Sequence, residues 1–168
     1  KQAIQTDDPL IFFEPKRRYH DRMEVDESAT SAPRSLFEAV VAREGTDVTV
    51  ACYGPMVKTC LQAAEAAALE GRSLEVIDLR GLNPLDTPTL FASVRKTGRL
   101  VVVHEASSFM GFGAEIAAQT MNDCFYSLEA PVIRVTGLSI PYPTSKLEEV
   151  FLPDLDRVLD AVDRSLAY

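Results

Sequence analysis

The sequence predicts an α/β fold: a three-layer α/β/α domain on a mainly parallel sheet, with four parallel strands and an antiparallel edge strand. Three observations carry this. Short runs rich in β-branched residues alternate with helical stretches of about ten to fifteen residues, the pattern of right-handed βαβ crossovers. The runs are continuously apolar rather than alternating, as strands covered on both faces require. Glycine follows the last periodic residue of two of the helices, where a left-handed stop belongs.

Each element follows from its own residues. "DVTVACY" is the first parallel strand, ended by Gly54 and Pro55. "MVKTCLQAAEAAALEG" places Val57, Cys60, Leu61, Ala64 and Ala68 on one helical face, with Gly71 as the stop. "LEVIDL" is the second strand. In "NPLDTPTLFASVRKTG", Thr87 is the expected N-cap, Pro88 lies in the first turn, Leu90, Phe91 and Val94 face inward, and Gly98 ends the helix. "RLVVVHE" is the third strand, and "GFGAEIAAQTMNDCF" a helix expected to bury Ala114, Ala117, Ala118, Met121 and Phe125. "PVIRVTG" is the fourth strand, and "LPDLDRVLDAVDRSLAY" sets Leu155, Val158, Leu159, Val162 and Leu166 at helical spacing. "LFEAVVAREG" is the candidate antiparallel edge strand.

The amino-terminal part reads differently. Leu10 to Phe13 is a short apolar run expected to be a buried strand, yet only nine residues precede it, too few for a neighbouring strand and crossover. Residues 14–33 are almost entirely polar or charged and read as a linker. The expected organisation is therefore an appendage over 1–33 and one domain over 34–168.

Composition narrows the function classes. No apolar run approaches the roughly 18 residues of a membrane span, and "KQAIQTDDPL" does not resemble a secretory signal, so the expected location is the cytoplasm or an organelle matrix. Cys52, Cys60 and Cys124 form no CxxC pair and are expected as buried, reduced thiols. A net charge of −8 argues against general nucleic-acid binding and favours basic partners. "PKRRYHDR" is one short basic cluster in an acidic chain, read as solvated linker.

The ligand-binding side of such a sheet is the rim at the carboxyl ends of the parallel strands. Those ends carry Tyr53 and Gly54, Asp78 and Arg80, His104 and Glu105, and Thr136 and Gly137. His104 titrates near neutrality and has a neighbouring carboxylate, so it is either an acid-base candidate or a hydrogen-bonded rim or interface histidine. Adjacent strand residues point to opposite faces, which weakens the pairing with Glu105. Gly111, Phe112 and Gly113 open a helix after a strand, as a phosphate loop does, but the third glycine of the dinucleotide fingerprint is missing. Turn geometry and close packing are the alternative use of these glycines. Tyr142, between two prolines in "IPYPTS", marks a stiff exposed loop suited to subunit contacts. No nucleophile, metal cage or complete phosphate cradle assembles, so no catalytic, cofactor or metal ligand is assigned.

Several stretches together, "FFEPKRRY", "REGTDVTV", "VIDLRGLNPLD", "KTGRLVVVHEA", "GFGAEIAA" and "EAPVIRVTG", followed by "PYP" and an amphipathic helix, resemble one family in this order. It is the carboxyl-terminal part of the beta subunit of thiamine-diphosphate-dependent 2-oxo acid dehydrogenases. "FFEPK" is more similar to the branched-chain (2-oxoisovalerate) type than to the pyruvate type. The resemblance implies a fold like the transketolase carboxyl-terminal domain, with "IFFEPK" as the last strand of a pyrimidine-binding domain otherwise missing here. It further implies a bacterial cytoplasmic or mitochondrial-matrix enzyme, a heterotetramer with the alpha subunit and a second beta subunit, and docking of a basic subunit-binding domain of the acyltransferase core. Glu129 and Tyr168 match the positions of the family's docking anions. Thiamine diphosphate and magnesium are implied for the parent heterotetramer and not for this chain alone. A stand-alone α/β module binding a small anion near His104 and Gly111 is the competing expectation.

Overall fold

A computed structural model describes residues 2–22, 24 and 35–168; of the expected linker over 14–33, residues 23 and 25–33 lie outside the described residues. The described residues form a five-stranded sheet in the order β1-β3-β2-β4-β5, comprising β1 (Val40–Arg43), β2 (Val48–Cys52), β3 (Leu74–Asp78), β4 (Leu100–Ser107) and β5 (Ile133–Gly137). β1 runs antiparallel to β3, and the other four strands are mutually parallel, as expected. The helices are α1 (Gln2–Gln5), α2 (Met56–Leu69), α3 (Thr87–Thr97), α4 (Phe112–Cys124), α5 (Glu148–Phe151) and α6 (Leu155–Leu166).

Two separate cores flank the sheet. Val48, Val50 and Cys52 of β2 point into one, with Cys60, Ala63, Ala64 and Ala67 of α2 and Val158 and Val162 of α6. Small alanines let α2 and α6 approach closely, and Ala67 rather than the expected Ala68 is the buried residue of the last turn. Ala51 of β2 points to the other side, with Leu90, Phe91 and Val94 of α3 and Ile116 and Cys124 of α4. Gly71 (φ +79°) follows α2 and Gly98 (φ +70°) stops α3, a conformation in which a Cβ is unfavourable.

Three expectations need correction. The N-cap of α3 is Asp86 and not Thr87, because the carboxylate reaches Thr89 N at 3.1 Å, Thr89 Oγ1 at 2.7 Å and Ala39 N at 2.9 Å, tying the helix start to the edge strand. α4 buries Gly113, Ile116, Thr120 and Cys124, leaving Met121 and Phe125 45% and 57% exposed, so its inward face is turned away from the expected one. The reason is Gly113: a Cβ there would lie 2.4 Å from His104 Nε2, so only glycine lets α4 settle against β4. Finally, Leu10–Phe13 forms no strand within the described residues, and Ile11 and Phe13 are more than 80% exposed. With no free edge engaged, its backbone groups are left to water.

At the amino ends of the strands, Glu75 is 2% exposed yet ionisable, and Lys96 pairs with it while Gly45 N donates at 3.2 Å. Burial alone would raise its pKa, but Lys96, with the Ser93 hydroxyl and the Gly45 amide, holds it below the usual carboxylate range. A depressed folded-state pKa contributes stability above the unfolded value that is lost as pH falls through the folded one. Lys96→Met is expected to lower unfolding free energy at pH 7 by about 1–3 kcal/mol, the penalty of a buried acceptor that loses its charged partner, and this deficit is expected to shrink as pH falls through the Glu75 pKa. Urea titrations across pH 3–7 check both. Gly113→Ala is expected to destabilise by about 1–3 kcal/mol through overpacking, read by thermal and urea unfolding; full stability would mean that α4 does not need glycine at His104.

Candidate functional site

The carboxyl rim takes its shape from how the chain leaves the sheet. After β2 it turns to the face carrying α2, and after β4 to the face carrying α4, so the two loops diverge and open a crevice between them. This reversal of winding is the topological switch point of an open α/β sheet.

His104 lies beneath that rim, fully buried. Gly113 N donates to Nε2 at 3.1 Å, which makes Nε2 the acceptor and leaves Nδ1 to donate to Ala106 O at 3.1 Å. Tyr53 stacks on the ring at a 6.0 Å centroid distance, and Phe112 meets Tyr53 edge-on at 6.3 Å. Burial lowers the histidine pKa, the Ala106 carbonyl opposes this, and Arg134 lowers it further. Both ring nitrogens are therefore engaged within the chain, and neither is free to take a proton from a substrate. Burial also pushes the Tyr53 phenol up to about 12, with the charge of Glu105 adding to it.

The same contacts decide the phosphate reading of Gly111 to Gly113. Gly113 N is committed to His104, and Ala114 N donates to Gly111 O at 2.9 Å. Both glycines are buried, and a Cβ on Gly111 would lie 2.1 Å from Ser107 O. They serve close packing, and this helix start does not fit a diphosphate. Among the described residues no group of three or more His, Cys, Asp or Glu side chains converges as a metal site. Cys52, Cys60 and Cys124 are buried and unbridged; the Cys60 thiol and burial raise the thiol pKa of Cys52, and burial raises that of Cys124.

Glu105 points away from His104 and is a charged group on the rim itself. Burial raises its pKa, Arg17 at 3.5 Å opposes this, and Glu148 adds to it. The basic cluster is thus not simply solvated: Lys16–Arg18 forms one 3-10 turn seated on the rim. The Arg18 guanidinium donates to Pro55 O and reaches Asp21 at 3.2 Å, while Lys58 of α2 pairs with Asp21 at 3.3 Å. Sequence reasoning missed these arginines as site residues, although a basic run in an acidic chain whose rim carries acids was the available signal. Tyr142 is exposed, donates its hydroxyl to Glu148 and packs edge-on against Phe151 at 4.9 Å.

Glu129 and Tyr168 lie elsewhere. Glu129 precedes β5, at the amino ends of the strands, with its side chain 61% exposed and paired with Arg99, whose Nε donates to Ser165 O at 3.1 Å. Arg99 thereby links Glu129 to the last turn of α6, and Tyr168 follows, 74% exposed. Tyr168 borders an open cavity of about 320 Å³ with Ser108, Ile133, Arg134 and Arg164 along the outer strand β5.

With this geometry in hand, likeness to known proteins is informative. The chain is 52% identical over 168 residues to "Pyruvate dehydrogenase E1 component subunit beta" of Leifsonia xyli, covering 100% of this chain and 49% of that protein. It is 49% identical over 167 residues to "3-methyl-2-oxobutanoate dehydrogenase subunit beta" of Mycobacterium tuberculosis, covering 99% and 47%. It is 44% identical over 167 residues to "2-oxoisovalerate dehydrogenase subunit beta 2, mitochondrial" of Arabidopsis thaliana, covering 99% and 46%. The chain thus spans about half the length of these relatives, and their names divide between the pyruvate and branched-chain types. A solved structure, "Split gene transketolase, inactive beta4 tetramer", superposes with a TM-score of 0.71 at 27% identity, covering 85% of this chain and 46% of that one. The family "Transketolase, C-terminal domain" matches residues 38–158, the part that contains the whole sheet and its crossovers. The chain therefore belongs to the transketolase C-terminal domain family.

Proposed function

We propose that this chain is the carboxyl-terminal part of a beta subunit of the decarboxylating component of a branched-chain 2-oxo acid dehydrogenase complex, serving subunit association and docking rather than chemistry. The observation that carries the reading is the end-to-end match to beta subunits at 44–52% identity. The parent enzyme would oxidatively decarboxylate 2-oxoisovalerate-type acids and pass the acyl group to a lipoyl arm. Pyruvate is the alternative substrate, favoured by the 52% relative. Thiamine diphosphate, which stabilises the carbanion formed on decarboxylation, and magnesium belong on this reading to the heterotetramer of alpha and beta subunits. The relatives are bacterial or named mitochondrial, in keeping with a bacterial cytoplasmic or matrix enzyme. No helix among the described residues is long and apolar enough to cross a membrane.

The small-anion module is the weaker reading, because the amide its cradle would use at Gly113 is occupied by His104. Docking of a basic domain of the acyltransferase core suits an acidic chain, since opposite charge steers association. Glu129, paired with Arg99, and Tyr168, which follows the α6 turn that Arg99 bonds at Ser165 O, are the residues proposed to receive it.

Three outcomes are expected. Glu129→Lys, and removal of Tyr168, should each weaken capture of the acyltransferase subunit-binding domain by up to about fivefold, the effect of an exposed ion pair worth ~0.2–1 kcal/mol, and less at high salt. Surface plasmon resonance over a salt series measures this, and unchanged affinity in both variants would remove these residues from the docking site. Calorimetric titration of the chain alone with thiamine diphosphate and magnesium should give no micromolar binding. The complete heterotetramer should turn over 3-methyl-2-oxobutanoate faster than pyruvate, and the reverse order would assign it to the pyruvate type.

A further inference from the structure

The switch-point crevice is occupied by the chain itself. On its β2 side the acceptor is the carbonyl of Pro55, a buried residue at the start of α2, and on its β4 side the half-buried carboxylate of Glu105. Arg18 donates to the first and Arg17 faces the second at 3.5 Å, so two adjacent guanidinium groups bridge the start of α2 and the end of β4. Asp21 closes the turn from the other side, reaching Arg18 at 3.2 Å and Lys58 at 3.3 Å. The Arg18 side chain is only 25% exposed, unlike a solvated linker residue.

The geometry points to a guanidinium-binding site at this crevice, filled in cis by the Arg17–Arg18 turn, which acts as a strap fixing where the upstream chain leaves the domain. The chemistry of the lining supports it. A carbonyl and a carboxylate are acceptors, which repel the phosphates that such crevices hold in dinucleotide folds and match the five donors of a planar guanidinium. The contact to a carbonyl is charge-assisted, and the carboxylate adds an ion pair whose strength falls with salt. The strap's own backbone bonds depend on its being seated: Arg18 N to Pro15 O at 3.0 Å, Tyr19 N to Lys16 O at 3.1 Å and Asp21 N to Arg18 O at 3.1 Å form too short a turn to persist alone. The assignment goes beyond the proposed function and holds whichever 2-oxo acid is the substrate.

Chemical rescue tests it. Hydrogen exchange of the intact 168-residue chain, read by mass spectrometry over residues 16–22 and 53–58, is compared for wild type, Arg18→Ala and Glu105→Gln. Arg18→Ala is expected to speed exchange about tenfold, as loss of a charge-assisted hydrogen bond does, and Glu105→Gln about two- to fivefold. Guanidinium chloride far below denaturing concentration, at ionic strength held constant with sodium chloride, should restore protection of residues 53–58 in Arg18→Ala. Tetramethylammonium chloride should not. Exchange unchanged in both variants, or rescue by tetramethylammonium equal to that by guanidinium, would overturn the assignment. Should Arg18→Ala fail to fold, the swap Arg17→Glu with Glu105→Arg decides: restored protection supports the strap, and protection no better than in Glu105→Gln refutes it.

Discussion

None of the five residues of β2 reaches solvent, and this double burial is the constraint on which the remaining architecture depends. Val48, Val50 and Cys52 face α2 and α6, Ala51 faces α3 and α4, and Thr49, the one polar member, is satisfied by Ser93 and Thr97 at 2.7 Å each. A strand so enclosed must have helices on both faces, so the crossovers before and after β3 go to opposite sides. The crevice at the carboxyl ends of β2 and β4 follows from that requirement, and so does the place where the strap sits. Site and core are thus one consequence of covering β2 twice.

The strands were legible because continuous β-branched runs have few other uses, and the helices because their stops are chemically marked. Helix phase was legible only where one face was much more apolar than the other. In α6 the acids and arginines leave no doubt, and Val158 and Val162 are buried as read. In α4 alanines, Met121 and Phe125 lie on one side while Ile116 and Cys124 lie on the other, and periodicity cannot choose between two apolar faces. What chose was a glycine fitting under a histidine, a contact between residues nine apart that no periodicity encodes. The cap of α3 was missed for a related reason, since Asp86 acts partly through Ala39, far away in sequence.

The candidate site divides along the same line. Residue type rightly drew attention to His104, Gly111 and Gly113, but their roles are set by partners: they consume one another's hydrogen-bonding and packing capacity instead of offering it to a ligand. Sequence could show a histidine beside two glycines after a strand, and not that the ring fills the space the glycines leave. Leu10–Phe13 was recognised as an apolar run, but strand formation requires a partner edge, and propensity does not supply one.

Charge gives the last link. The chain carries 17 Lys and Arg against 25 Asp and Glu, so its surface character depends on where its few cations go. Arg17 and Arg18 turn onto the domain's own rim, Lys58 pairs with Asp21, Lys96 with Glu75 and Arg99 with Glu129. Each of these cations is matched to an acceptor of the chain itself, so they are neutralised locally, and the net charge of −8 is what remains for a partner to meet. The basic run read from sequence as solvated linker is in this way engaged by the domain's own rim, and a net charge of −8 favours basic partners over nucleic acid.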